Sequence, residues 1–120
     1  MMILISGPYR SGTNDDPMRM AANLHHLESV ALPLFRAGHL PIIGEWVALP
    51  LLTLAGSQQP GDEAYQEISY PAAHRLLAKC DAVLRLSGAS TGADEDVRIA
   101  QARGLPVYFR LEDVPNCDLS

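Results

Sequence analysis

Four short apolar runs, each closed by turn-forming residues and separated from the next by helix-like spacing, decide what this chain can fold into. The first, Met2-Ile3-Leu4-Ile5-Ser6, is apolar on successive residues and stops at Gly7-Pro8, the pattern of a parallel strand buried on both faces. Leu40-Pro41-Ile42-Ile43, Ala82 to Leu86 and Val107-Tyr108-Phe109 repeat it. Pro41 lacks the N–H needed to pair on both sides, so the second run belongs at a sheet edge. Strands that alternate with helices make a parallel sheet with right-handed crossovers. With the second strand at the edge, the simplest order is 2-1-3-4. That is a single-domain α/β fold over residues 1–120, a flavodoxin-like or Rossmann-like parallel sheet with helices on both faces. The chain then reverses between its first and third strands, where such sheets bind ligands.

The connecting segments carry their own signals. Asn14, Asp15 and Asp16 offer an N-cap before Pro17, and Met20, Leu24, Leu27, Ala31 and Leu34 keep helical spacing as far as Gly38. Pro33 predicts a kink or an early end near Leu32. Residues 44–61, with Trp46, Pro50 and Pro60, show no clean period and are expected to form an irregular lid or dimer segment. Asp62 to Lys79 reads as a helix in two pieces divided at Ser69-Tyr70-Pro71. Ser90 or Thr91 caps the last helix, which runs to Gly104.

Composition removes several classes of function. With nine Lys and Arg scattered along 120 residues and a net charge of -5, a nucleic-acid backbone is excluded as the main partner, whereas a nucleoside-sized ligand is not. Met1 to Ser6 is too short for a signal peptide, and Val47 to Ala55 falls far below the roughly 20 apolar residues of a membrane span. A cytoplasmic protein with no membrane partner is expected. Cys80 and Cys117 have no metal or redox spacing and read as plain thiols of a reducing compartment. His25, His26 and His39 show no ligand spacing, so neither a metal nor another cofactor is expected.

The 2-1-3-4 order brings two loops to one crevice, Gly7 to Thr13 after the first strand and Ser87 to Gly92 after the third. Gly7 and Gly12 have the spacing of a phosphate-binding P-loop, but Thr13 stands where that motif requires Lys, which excludes an ATPase. The glycines otherwise serve a tight turn. Arg10 beside them suits a phosphate or a carboxylate. In the second loop, Asp94, Glu95 and Asp96 crowd the first turn of a helix, where the dipole and free N–H groups hold carboxylates or a bound anion. Acids also favour helix starts for stability alone. On a helical wheel Asp96 precedes Ala100 by four residues and turns toward the crevice, with Glu95 roughly 100° away.

Three segments carry a resemblance: Ile5-Ser6-Gly7-Pro8-Tyr9-Arg10-Ser11-Gly12, Cys80-Asp81-Ala82-Val83, and Ser90-x-Gly92-x-x-x-Asp96-x-x-x-Ala100 with Gly104-Leu105-Pro106-Val107. From Ile3 to Val107 the chain resembles the nucleoside 2-deoxyribosyltransferase superfamily, including its compact nucleotide N-glycosidase branch. The resemblance implies cleavage or exchange of an N-glycosidic bond of a nucleoside or nucleotide, with a carboxylate at the anomeric carbon. In the family that carboxylate is Glu, where Asp96 stands here, and the second acid falls on Ala73. It further implies Tyr9 as a positioner of sugar or carboxylate. Gly7, Arg10, Gly12, Ser90, Gly92 and Ala93 would hold the substrate, and Glu95 is the substitute nucleophile if the helix is rotated. The proton donor would come from Glu45, Glu63, Glu67 or His74. Family members commonly complete their sites from a neighbouring subunit, which implies a homodimer or higher oligomer. Two alternatives stand beside the enzyme: a nucleotide-binding or sensing module that has lost the catalytic pair, and a structural protein that dimerises through Trp46 to Ala55.

Overall fold

The computed structural model of the protein describes residues 1–117. The apolar runs form one four-stranded sheet: β1 (Met2–Ser6), β2 (Leu40–Ile43), β3 (Ala82–Arg85) and β4 (Val107–Tyr108). Its order is β2-β1-β3-β4 and every pairing is parallel, with Leu4 flanked by Ile42 on one side and Val83 on the other. Pro41 lies in the edge strand, as its missing donor requires.

Alternation along the strands sends side chains to two helical layers. Ile3, Ile5, Ala82 and Leu84 pack against Leu27 of α1 (Pro17–Glu28) and Leu34 of α2 (Ala31–Arg36), with Val114 and Cys117 closing the same cluster. On the opposite face Leu4 and Val83 meet Leu77 of α4 (Glu63–Leu77) and Ala100 of α5 (Thr91–Ala102). Helices therefore cover both faces. Among the described residues no helix is long and apolar enough to cross a membrane.

Three connecting segments differ from their sequence reading. Asp16 caps α1 by accepting from the Met18 N–H, but the helix stops at Glu28, ahead of the break expected near Leu32. A proline ring clashes with the carbonyl four residues earlier, here that of Ser29, so Pro33 forces the interruption upstream of itself. Pro33 then sits in the first turn of α2, where its missing donor costs nothing. The segment expected to be irregular holds α3 (Gly44–Leu54). Its period was invisible because nearly every position is apolar: Ala48 and Leu52 are buried, while Leu54, on the outside, is 82% exposed. Asp62 to Lys79 is one helix, α4, which runs through Pro71 without a division. Packing of α3 along α4 outweighs the hydrogen bond that Pro71 cannot make. Strands β3 and β4 each end one residue before the predicted boundary.

Leu84 has no exposed surface and sits at the centre of the α1 side of the core. Leu84→Ala is expected to lower the unfolding free energy by about 2–5 kcal/mol, read from the urea midpoint at unchanged slope.

Candidate active site

The two loops that the strand order brings together do meet. Leu86 N–H donates to the Ser6 carbonyl over 2.8 Å. Gly88, at φ +118, lets the loop after β3 close on the loop after β1, for a Cβ there would stand 2.7 Å from Pro8 Cγ. Beside this junction, at the carboxyl ends of the strands, lies a cleft of about 400 Å³, within the ~300–1,000 Å³ of small-molecule sites. Ser6, Gly7, Tyr9 and Arg10 line it from the β1 side, and Gly44 and Glu45 from the start of α3. Tyr65, Tyr70 and Ala73 of α4 form a further wall, facing Ser90, Gly92 and Asp96 at the start of α5.

Asp96 is placed as the helical wheel implied. It lines the cleft at 7% exposure, and its Oδ2 accepts a 2.8 Å hydrogen bond from Ser6 Oγ. Its Oδ1 is buried and has no hydrogen-bond partner among the described residues. Burial raises its pKa, while the Ser6 hydroxyl and the charges of His74 and Arg85 pull the other way. Glu95, the substitute nucleophile of a rotated helix, does not line the cleft. It is turned out of the cleft into an ion pair with Arg98, whose Nε donates to Oε2 over 2.9 Å and holds the carboxyl below its ordinary range.

The substrate-binding residues divide. Ser90 caps α5 by accepting from the Ala93 N–H over 3.1 Å, so that N–H serves the helix and is not free for a ligand, contrary to the expectation for Ala93. Gly92 lines the cleft, where a Cβ would come within 3.0 Å of the Tyr70 ring. Gly7 also lines it, and on its core side a Cβ would meet Leu27 Cδ2 at 2.8 Å. Gly12 lies outside the cleft wall, and its φ of +73 makes it the turn residue of the simpler reading. Arg10 reaches the cleft but is held there. Its Nε donates to Asp15 Oδ1 over 2.6 Å and its guanidinium stands 5.2 Å from the Tyr65 ring centre. Tyr9 lines the cleft with a hydroxyl whose pKa is raised first by burial, then by Tyr65 and Glu45.

Of the four proton-donor candidates, the structure brings only Glu45 into the cleft. Burial pushes its carboxyl up to about 7, outweighing its own backbone N–H at the helix start, and the charge of Asp96 adds to the rise. Glu63 and Glu67 are exposed on α4. His74 lies outside the cleft wall, stacked on Tyr70 at 6.2 Å between ring centres, with Nε2 buried and unpartnered among the described residues. The signal for Glu45 was its place directly after Ile43-Gly44, at the carboxyl end of a strand.

Comparison with protein-family models, curated proteins and solved structures returns no match. Among the described residues no three His, Cys, Asp or Glu side chains cluster as a metal would require. The arrangement supports carboxylate chemistry: two recessed acids, Asp96 on α5 and Glu45 on α3, line one cleft in different surroundings.

Glu45 holds its proton to higher pH in the folded protein than in the unfolded chain, where 4.5 is the ordinary value. The folded state therefore binds more protons between about pH 4.5 and 7, and stability falls as pH rises through that window. Glu45→Gln removes this dependence. Its stability is expected to gain on the wild type by about 3 kcal/mol across the window, measured by urea unfolding at successive pH values.

Proposed function

We propose that this protein cleaves the N-glycosidic bond of a nucleoside, by hydrolysis or by transfer of the sugar to a second base, with Asp96 as nucleophile or stabiliser of the oxocarbenium ion. The observation that carries this is a buried carboxyl at the switch point of the sheet, fixed at one oxygen by Ser6 and short of donors at the other. A carboxylate with a single donor keeps its charge poorly stabilised, which favours attack on an electron-poor carbon. Tyr9, Tyr65 and Tyr70 give the cleft aromatic surface on which a base can stack. The resemblance of the first-strand loop and the α5 start to nucleoside 2-deoxyribosyltransferases supports the same chemistry.

Charge selects the uncharged nucleoside over its 5'-monophosphate. Besides the tyrosines, the ionisable groups on the cleft wall are Arg10, Asp15, Glu45 and Asp96, and Asp15 already neutralises Arg10. Arg19, on α1, sits 3.6 Å from Asp16 instead. A phosphate would enter against carboxylates with the Ala93 N–H already used. The second reading, a nucleoside-binding module without turnover, draws on Ala73, which leaves α4 without an acid in the cleft.

Asp96→Asn separates the two. At neutral pH it removes a buried charge and keeps a group that Ser6 can bond, so the fold is expected to persist. Release or exchange of base from a nucleoside panel, followed by chromatography, is expected to drop by about 10³-fold or more. A wild-type protein that binds a nucleoside and releases no base would establish the binding module.

A further inference from the structure

We propose that Glu45 is the general acid of this site, protonating the departing base from the α3 wall in place of the carboxyl that Ala73 cannot supply. The inference rests on the glycosidic reading above and names a residue which that reading leaves open. Its basis is how α3 enters the cleft. The helix begins directly at the end of β2, on the same edge of the sheet as the Ser6 and Asp96 pair. Its first residue, Gly44, packs against α4 at Ala73, where a Cβ on Gly44 would stand 3.7 Å from Ala73 Cβ. Both positions are small, so α3 starts close to α4, and the next residue, Glu45, presents its carboxyl to the cleft.

The groups facing Glu45 explain why it keeps a proton that Asp96 gives up. From the loop after β1 come Tyr9, Arg10 and Asp15, from α4 Tyr65 and Tyr70, and from α5 Asp96. Arg10, the single cation among them, is bound by Asp15, and Arg85 donates to Asp94 over 2.9 Å. Among the described residues no ion pair involves Glu45. Asp96 by contrast has the Ser6 donor and the charges of His74 and Arg85 in its favour. The first proton therefore leaves Asp96, and its negative charge holds the second on Glu45.

In the first step an Asp96 oxygen bonds to the anomeric carbon. The C–N bond breaks with its electron pair passing to the base, and the Glu45 proton moves to a ring nitrogen of that base. In the second, the Glu45 carboxylate takes a proton from water, the resulting hydroxide bonds to the anomeric carbon, and the ester bond to Asp96 breaks. Free sugar leaves with both carboxyl groups restored to their starting states.

A base that leaves without a proton bypasses a general acid. Wild type, Glu45→Gln and Asp96→Asn would each be assayed on a purine nucleoside and on nicotinamide nucleoside of the same sugar, whose pyridinium base departs neutral. Followed as release of base in a single turnover, which reads the first step alone, Glu45→Gln is expected to lose about 10²–10⁴-fold on the purine nucleoside and less than tenfold on the pyridinium one, with Asp96→Asn losing both. The wild type needs no variant to show the same effect: its purine rate is expected to fall above about pH 7 and its pyridinium rate to hold. Full purine activity in Glu45→Gln, or equal losses on both substrates, would overturn the role of Glu45 and leave the glycosidic reading standing. Cleavage of neither substrate by the wild type would overturn both.

Discussion

The hydrogen bond from Ser6 Oγ to Asp96 Oδ2 ties the last residue of β1 to the second turn of α5, across 90 residues of sequence, where only Asp94 of the three acids lies in the first turn. A carboxyl buried to this depth is costly, and one neutral donor offsets only part of the desolvation. The remainder is carried by packing around it: β1 is flanked on both sides and covered by helices on both faces, which fixes Ser6 and α5 at the wall of the cleft. Asp96 is thus held where a free carboxylate would not choose to be. Strain of this kind persists in a fold when the surrounding structure fixes it, and it is a common mark of a reactive group.

The cation that lines the cleft, Arg10, and two more on β3 and α5 are each already committed. Arg10 is bound by Asp15, Arg98 by Glu95, and Arg85 by Asp94 together with the carbonyls of Leu86 and Gly88. Two recessed carboxyls are left to divide their protons according to local surroundings. Burial raises the pKa of both; Asp96 has a hydroxyl donor and positive neighbours against it, whereas Glu45 has only its own backbone N–H, with the negative Asp96 adding to the rise. In the proposed mechanism the acid and base roles separate for that reason, with no shared counter-ion.

Much of this was legible in the sequence because it followed from backbone chemistry. Pro41 marked the edge strand, the apolar runs marked the sheet, and the interval from Asp96 to Ala100 gave the direction of the helix. Where the reading failed, tertiary packing had replaced local preference. α3 escaped notice because an almost uniformly apolar stretch has no period to detect, and with it the carboxyl it delivers to the cleft. Pro71 breaks helices in isolation, yet α4 continues through it against α3. Glu95, Gly12 and the Ala93 N–H were each spent on local needs, an ion pair, a turn and a helix cap, which no spacing rule distinguishes from a ligand contact.

The central claim is that Asp96 attacks the sugar, and covalent trapping addresses it directly. A 2-fluoro-sugar nucleoside with a good leaving base slows breakdown of a glycosyl ester, so incubation followed by tryptic digestion and mass spectrometry would locate the adduct. The expected result is the mass of one fluorosugar on the peptide Leu86–Arg98, placed by fragmentation on Asp96 and missing in Asp96→Asn. A label on Glu45 or Glu95 instead, or base release with the Asp96 peptide unmodified while the adduct accumulates elsewhere, would contradict the account.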